Sequence, residues 1–369
     1  MNPQISNISE TGDIYKFTIN NINVSLANAL RRTILSDIPT LVIYTETYQD
    51  NQCNILINNT RLHNEILKQR LSCIPIHEKD TNILPGTYIL DLDIKNDTDE
   101  TIIVTTEHFR IRNKSNGNYL SKDETRRIFP PNPKTQCFID FARIRPKVGA
   151  NIEGEHIKLT AEFSAHTAKE NSMFNVVSKC SYGNTPDMIK INEVWEDHEK
   201  KLQTEQLSVE EIEFEKKNFY LLDAQRYFIP DSFDFIIQTL GVYENREIIQ
   251  KACKILHDKL ISIIQLIDSD GIPINNSETT MDYCFDVILE NEDYTIGKVL
   301  EYILYEKYYL KEKIFTFCGF KKFHPHNSDS TIRIAYLQNS DKRMVSQHLR
   351  FACTDASAVF KRVYDMFEK

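Results

Sequence analysis

The sequence predicts an α+β fold of two similar units, each a strand, a helix, further strands and a long closing helix, with a β-rich insert in the first. Three observations carry that prediction. One pattern is written twice, as Ser25-Leu26-Ala27-Asn28-Ala29-Leu30 and Thr295-Ile296-Gly297-Lys298-Val299-Leu300; both read hydroxyl, branched aliphatic, tiny, polar, small apolar, leucine. Each copy follows an alternating strand, Tyr15/Phe17/Ile19 before the first and Tyr283/Phe285/Val287/Leu289 before the second. Each half then ends in a long helix with one apolar face, which must be buried, so the two faces cover each other. The copies stand 270 residues apart, from Ser25 to Thr295, too long a period for a solenoid. Two related units therefore share one chain and are expected to pair as an intramolecular pseudo-dimer.

Residues 13–20 alternate as a strand and lead into a helix with Ser25 as its expected cap. Leu26, Leu30 and Ile34 form a buried stripe, Ala27 and Ala29 keep the helix flanks thin, and Pro39 stops the helix. Leu41–Tyr44 reads as a strand returning beside the first. Residues 46–165 form the insert, with a helix at Asn64–Leu71, strands at Tyr88–Leu90 and Thr101–Thr105, and alternating segments at 136–145 and 155–163. The Pro-rich loop Phe129–Pro133 can be neither helix interior nor central strand. Around Trp195, residues 191–220 are charge-dense and read as solvated helices with ion pairs at i,i+4. Ser232–Ile237 reads as a strand, and the following helix carries Ile249, Cys253, Leu256, Leu260, Ile263 and Ile267 on one face. Asp268–Ser277 has linker chemistry. The second copy then supplies a strand at 282–289, a helix at 295–306, strands at 314–318 and 331–336, and a final helix at 341–368 whose face includes Val345, Leu349, Val359, Val363 and Phe367. The expected domains are 1–45 with 166–268, the insert 46–165, the linker 269–280, and 281–369.

Composition narrows the function. The chain has 369 residues, 41% hydrophobic and 26% charged, with a net charge of −9. That surplus of acid argues against a free-standing nucleic-acid binder. The first residues lack the apolar core of a signal peptide, and no run of about 18 apolar residues could span a membrane. The eight cysteines are scattered without a CxxC, which fits reduced thiols in a cytosolic-type compartment and neither a disulfide framework nor a zinc site.

No phosphate-cradle, nucleophile-elbow or zincin motif is present in the sequence. His324-Pro325-His326 places two rings on a turn without a cysteine or carboxylate at ligand spacing. Two charged features say more. Arg31-Arg32 sits inside an otherwise apolar helix, and adjacent helical positions diverge by about 100°, so at least one should reach a partner or an acid. Arg143, Arg145 and Lys147 alternate with Ile144 and Pro146; period-2 spacing puts three cations on one strand face, either solvated or set against an acidic protein surface or phosphate backbone.

The segment Val24–Pro39 resembles the signature of the RNA polymerase alpha-like subunits: the bacterial alpha N-terminal domain, archaeal D and the third subunit of eukaryotic RNA polymerase II. Asn64–Ile76, a short helix ending in a Leu-x-x-Ile-Pro turn, is similar to the next family block, as are the Phe141–Asn184 stretch and Ser232–Leu260 to later ones. In the second half, Asn291–Gly297 and Cys318–His326 resemble blocks of the small alpha-like subunit, archaeal L or the eleventh subunit of polymerase II. The resemblance implies a fusion of the large and small members, as in large nucleocytoplasmic DNA viruses, with host cytoplasm and virion as the location in that case. Some members hold a zinc or iron–sulfur site in the insert. Here Cys53, Cys73 and Cys137 are too widely spaced, so no metal and no cofactor is expected.

By this resemblance the chain is a non-catalytic assembly platform of a DNA-directed RNA polymerase, pairing its halves and docking the largest and second-largest subunits and small assembly subunits, with no sequence-specific DNA binding. Asn28, Arg31, Arg32 and Glu65 are expected to face the second-largest subunit. Leu26, Leu30, Ile34, Leu260, Ile263, Ile296, Gly297, Leu300, Val359 and Val363 are expected in the core between halves. The rivals are a stand-alone homodimer using the same helices, and a thiol enzyme using Cys180 and His166.

Overall fold

The computed structural model describes residues 1–147, 149, 153–205, 207–278 and 280–368. Val148, Ala150, Asn151 and Ile152 of the expected insert, Gln206 of the charged region, Thr279 of the expected linker and Lys369 lie outside the described residues. The chain opens with a hairpin of β1 (Gln4–Thr11) and β2 (Ile14–Asn20), turned by Gly12 at φ +60°. No sequence alternation announces β1, because nearly all its side chains face solvent. Tyr15, Phe17 and Ile19 of β2 are buried, and α1 (Val24–Ser36) follows. The cap of α1 is Asn23, not Ser25: its Oδ1 accepts from the Ser25 amide at 2.9 Å, and its carbonyl takes the first helical hydrogen bonds.

The chain then runs through β3 (Thr40–Val42), β4 (Cys53–Asn58), α2 (Asn64–Ser72), β5 (Tyr88–Lys95), β6 (Ile102–Thr105), β7 (Arg110–Asn113), α3 (Lys122–Ile128), β8 (Asp140–Ile144), β9 (His156–Glu162) and β10 (Ser164–His166). Beyond these come β11 (Val177–Pro186), α4 (Met188–Thr204), α5 (Val209–Leu221), β12 (Phe228–Thr239) and α6 (Asn245–Asp268). The second copy supplies β13 (Ile274–Asn276), β14 (Cys284–Leu289), α7 (Tyr294–Leu304), β15 (Phe315–Lys321), β16 (Ser330–Tyr336) and α8 (Lys342–Phe367). A π-type segment, Tyr305–Lys311, continues α7.

These elements fall into two compact units. One comprises Ile34–Ser178 and Thr239–Glu244. Its main sheet has the order β4-β9-β5-β7, beside the pairs β6-β8 and β10-β3. Thus β3 pairs with β10, with Leu41 opposite Ala165, and does not return beside β2 as the sequence pattern suggests. Pro39 ends α1 but leaves the next strand's direction open. The core of this unit joins Leu67 and Leu71 of α2 to Leu90, Leu92 and Leu159 of the sheet. Phe109 sits edge-on to Phe129 and Phe141, with ring centroids 5.3 and 5.6 Å away, so the Pro-rich loop anchors itself through Phe129.

The other unit comprises Met1–Thr33, Lys179–Gln238 and Asn245–Lys369, and it contains the same architecture twice. Its two sheets have the orders β1-β2-β12-β11 and β13-β14-β16-β15. In each, a helix leaves the second strand (α1 after β2, α7 after β14) and a long helix follows the third (α6 after β12, α8 after β16). Apolar residues face each other across the central pairs, Phe235 opposite Phe17 and Ile332 opposite Val287. The expected linker contributes a strand, since Ile274 pairs with Val287.

The long helices pack against each other through buried faces, Leu256, Leu260, Ile263 and Ile267 on α6 and Val345, Leu349, Ala356, Val359 and Val363 on α8. Phe367 then meets the edges of Phe17 and Tyr15 at 5.2 and 6.3 Å. The helices α4 and α5 are not merely solvated: they close a small core of Ile191, Trp195, Leu202 and Phe219.

Gly297 is buried and closely approached. A Cβ built there would overlap the Phe320 ring of β15, in its own half. The first copy carries Ala27 at this position, without that demand. Gly297→Ala should cost about 1–3 kcal/mol of stability in urea unfolding. Adding Phe320→Leu should recover most of the loss.

Candidate partner interface

The described helix α1 buries Leu26 and Leu30 and turns Asn28, Arg31 and Arg32 to its half-buried flank. The Arg31 guanidinium folds back one turn, donating from Nε and Nη2 to Asn28 Oδ1 at 3.1 and 2.9 Å. That bond uses two donors and leaves the positive charge uncompensated by any carboxylate of this pair. Arg32, 100° round the helix, points elsewhere. Its Nη2 donates to Asp293 Oδ2 at 2.8 Å and its Nε to Thr295 Oγ1 at 2.9 Å. The two adjacent arginines thus have different assignments, and Arg32 is engaged by the second copy of the repeat within this chain.

Asp293 has a double role. Its Oδ1 caps α7 by accepting from the Thr295 amide at 2.8 Å, while Oδ2 receives Arg32. Asn23 and Asp293 are separated by the same 270 residues as Ser25 and Thr295. The repeat therefore extends two residues further towards the N-terminus than the hydroxyl pattern shows, and the signal for it is Asn-x-Ser matched with Asp-x-Thr. A side-chain oxygen two residues before the hydroxyl is what both helix starts require.

The second copy replaces Asn28 and Arg31 with Lys298 and Glu301, and these also pair along the helix. There the polarity is inverted and the charge is cancelled. Glu301 Oε1 further accepts from the Phe320 amide at 3.1 Å, which ties it to β15. Of the two equivalent positions, the first pairs its cation with a neutral amide and the second with a carboxylate. Leu26, Leu30, Ile34, Leu260, Ile263, Ile296, Leu300, Val359 and Val363 are all buried, with Ile34 falling in the unit that begins at that residue. Glu65 is exposed in the first turn of α2, in the other unit.

Of the cationic triplet, only Arg143 lies in a strand, because β8 ends at Ile144. All three side chains are exposed while Ala142 and Ile144 are buried, so the alternation of faces persists beyond the strand. The row is not one of independent cations, however. Arg143 lies 3.6 Å from Asp140, and Arg145 pairs with Glu155, which also accepts from the Arg145 amide at 2.7 Å. These groups, with Arg61, Arg70 and Leu62, line a cleft of about 440 Å³.

Cys180 is buried, which pushes its thiol up to about 12; at neutral pH it holds no useful thiolate. His166 is held by Glu170 and stacks on Tyr44 at 4.6 Å between centroids. Cys180 therefore lacks the environment of an activated nucleophile. Among the described residues, no group of three or more histidine, cysteine or acidic side chains could hold a metal ion, and no helix is long and apolar enough to cross a membrane.

The chain belongs to the RNA polymerase Rpb3/Rpb11 dimerisation domain family, whose description matches residues 16–260. Similar proteins include DNA-directed RNA polymerase subunit Rpo3 of Thermococcus kodakarensis, 26% identical over 267 residues, covering 67% of this chain and 91% of that protein. Rpo3 of Pyrococcus furiosus is 25% identical over 286 residues, covering 72% and 98%. Subunit 3B of the RNA polymerases IV and V of Arabidopsis thaliana is 40% identical over 70 residues, 19% of this chain and 20% of that protein. The second copy of the repeat lies beyond the matched family segment.

Cys73 and Cys137 are exposed and the other six cysteines buried. Brief alkylation of the native protein at neutral pH should therefore label those two and spare Cys180, as peptide mass mapping would show.

Proposed function

We propose that this chain is a non-catalytic assembly subunit of a DNA-directed RNA polymerase. It pairs its two alpha-like halves as an intramolecular pseudo-dimer and offers the first half to the large catalytic subunits. The observation that carries this reading is the repeated sheet order with the long helices α6 and α8 packed together. Family membership and the polymerase subunits among the relatives support it. The large-subunit-like half takes 1–45 and 166–268, with the insert 46–165 as an added docking surface, and 281–369 takes the part of the small subunit. On this reading the chain needs no cofactor, and it works in a reducing compartment, the host cytoplasm and virion if its gene is viral.

The arginines divide the work. Arg31, with Asn28 beside it and Glu65 on the insert, faces the second-largest subunit; Arg32 serves the pairing of halves. The neutralised Lys298–Glu301 pair supports docking through the first copy and not the second. Arg143 and Arg145 are already balanced by Asp140 and Glu155, which weakens the strip as a phosphate-backbone contact.

Arg31→Glu should leave the isolated protein folded, with an unchanged circular dichroism melt, yet abolish co-purification with the large subunits. Loss of one partner of a desolvated charged contact costs about 2–5 kcal/mol. Unfolding of the variant would show a structural arginine instead. Cutting the chain at Asp270-Gly271 should leave the two halves co-eluting on gel filtration; their separation would overturn the paired-halves reading.

A further inference from the structure

The insert carries a cleft of about 620 Å³, a volume typical of binding sites. One wall is a single face of α3, where Lys122, Arg126 and Phe129 recur at steps of four and three. A second wall is the turn Thr106–His108, followed by Phe109 and by Arg110 at the start of β7. Phe109 and Phe129 are buried and supply an apolar base. The cations at the rim are already held in place. The Arg110 guanidinium lies 3.8 Å from the centroid of the Tyr119 ring, and the Tyr119 hydroxyl donates to Asp91 Oδ2 at 2.9 Å, which pins that ring. Arg126 stands 5.6 Å over the Phe138 ring. A ring face steadies a guanidinium and leaves its in-plane N–H donors for a carboxylate. Both arginines are exposed, and among the described residues neither forms a salt bridge with an acid of this chain.

We propose that this cleft docks an acidic segment of a partner polypeptide, with an apolar side chain resting on Phe109 and Phe129 and carboxylates meeting Arg110 and Arg126. The proposal rests on the reading of the insert as a docking surface and adds the chemistry of what docks there. Charge complementarity selects the occupant. The chain carries a net charge of −9, yet at this cleft Arg110, Lys122 and Arg126 outnumber Glu107 and Asp123. That small surplus suits carboxylates of single charge, whereas the two acids oppose the denser charge of a phosphate group. The buried rings call for an apolar side chain as well as a charge, and a peptide supplies both.

The test is fluorescence anisotropy on the full-length protein, with a blocked, labelled peptide of alternating aspartate and phenylalanine as the probe. The wild type should bind this peptide, and should bind its lysine-for-aspartate counterpart about tenfold more weakly. Arg110→Gln and Arg126→Gln should each raise the Kd for the acidic peptide about tenfold. Because both side chains are exposed, the circular dichroism melts of these variants should match the wild type. No binding by the wild type, or equal binding by the wild type and both variants, overturns the proposal. Full displacement of the peptide by an equimolar mononucleotide would reveal a nucleotide pocket and overturn it too. A wild-type dimer that Arg126→Gln dissolves, seen by light scattering, would make a second copy of the chain the occupant, against the proposal. Co-purification measured in parallel keeps the two readings apart: wild-type protein that recovers no polymerase subunit overturns the assembly reading whatever the peptide does.

Discussion

The structure depends on one constraint: α6 and α8 each present a long apolar face that water will not accept, and each is the cover for the other. A helix of 24 or 26 residues is about 36–39 Å long, so the shared seam is as long as a small domain is wide. Every fully buried leucine, isoleucine or valine along it contributes roughly 1.5–3 kcal/mol. No local propensity matches that sum, which is why the surrounding sheets adopt the same order in both halves despite their different side chains. Joining the halves through a short segment replaces a bimolecular encounter with an internal one, at effective concentrations of millimolar order.

Within that shared frame the copies have diverged where they meet other things. The first copy keeps an arginine bonded to an amide, while the second has swapped the pair for Lys298 and Glu301 and turned the glutamate inward to Phe320. The close approach at Gly297 belongs to the same divergence, since the Phe320 ring occupies the space a Cβ would need. One half has thus been kept open at its surface and the other closed over itself.

Much of this was legible in the sequence. The doubled hexapeptide, the alternating strands before it and the three-and-four spacing of the closing helices located α1, α7, α6 and α8, because burial imposes a period on sequence. What escaped had no such period. Strand β1 is solvent-facing and polar, β3 takes a partner 120 or so residues away, and the β13 strand is only three residues within a segment of turn chemistry. The true cap of α1 was missed because hydroxyl and amide side chains both cap helices, and Ser25 is a reasonable candidate until the backbone is seen. The separate assignments of Arg31 and Arg32 could be anticipated from their 100° divergence, but the acid waiting 261 residues downstream of Arg32 could not. Pairing over such distances is written only in the fold.

The ring of Phe367, lying against Phe17 and Tyr15, has a consequence for how the molecule comes into being. Residues near the beginning of the chain complete their packing only with a residue made about 350 positions later. During synthesis the first sheet must therefore wait, with its aromatic surface open, until Phe367 has been made. A prematurely terminated polypeptide would keep that surface exposed, marking itself for chaperones and proteases before it could reach an assembling complex. The last turn of α8 acts in this sense as the closing piece of the first sheet's core.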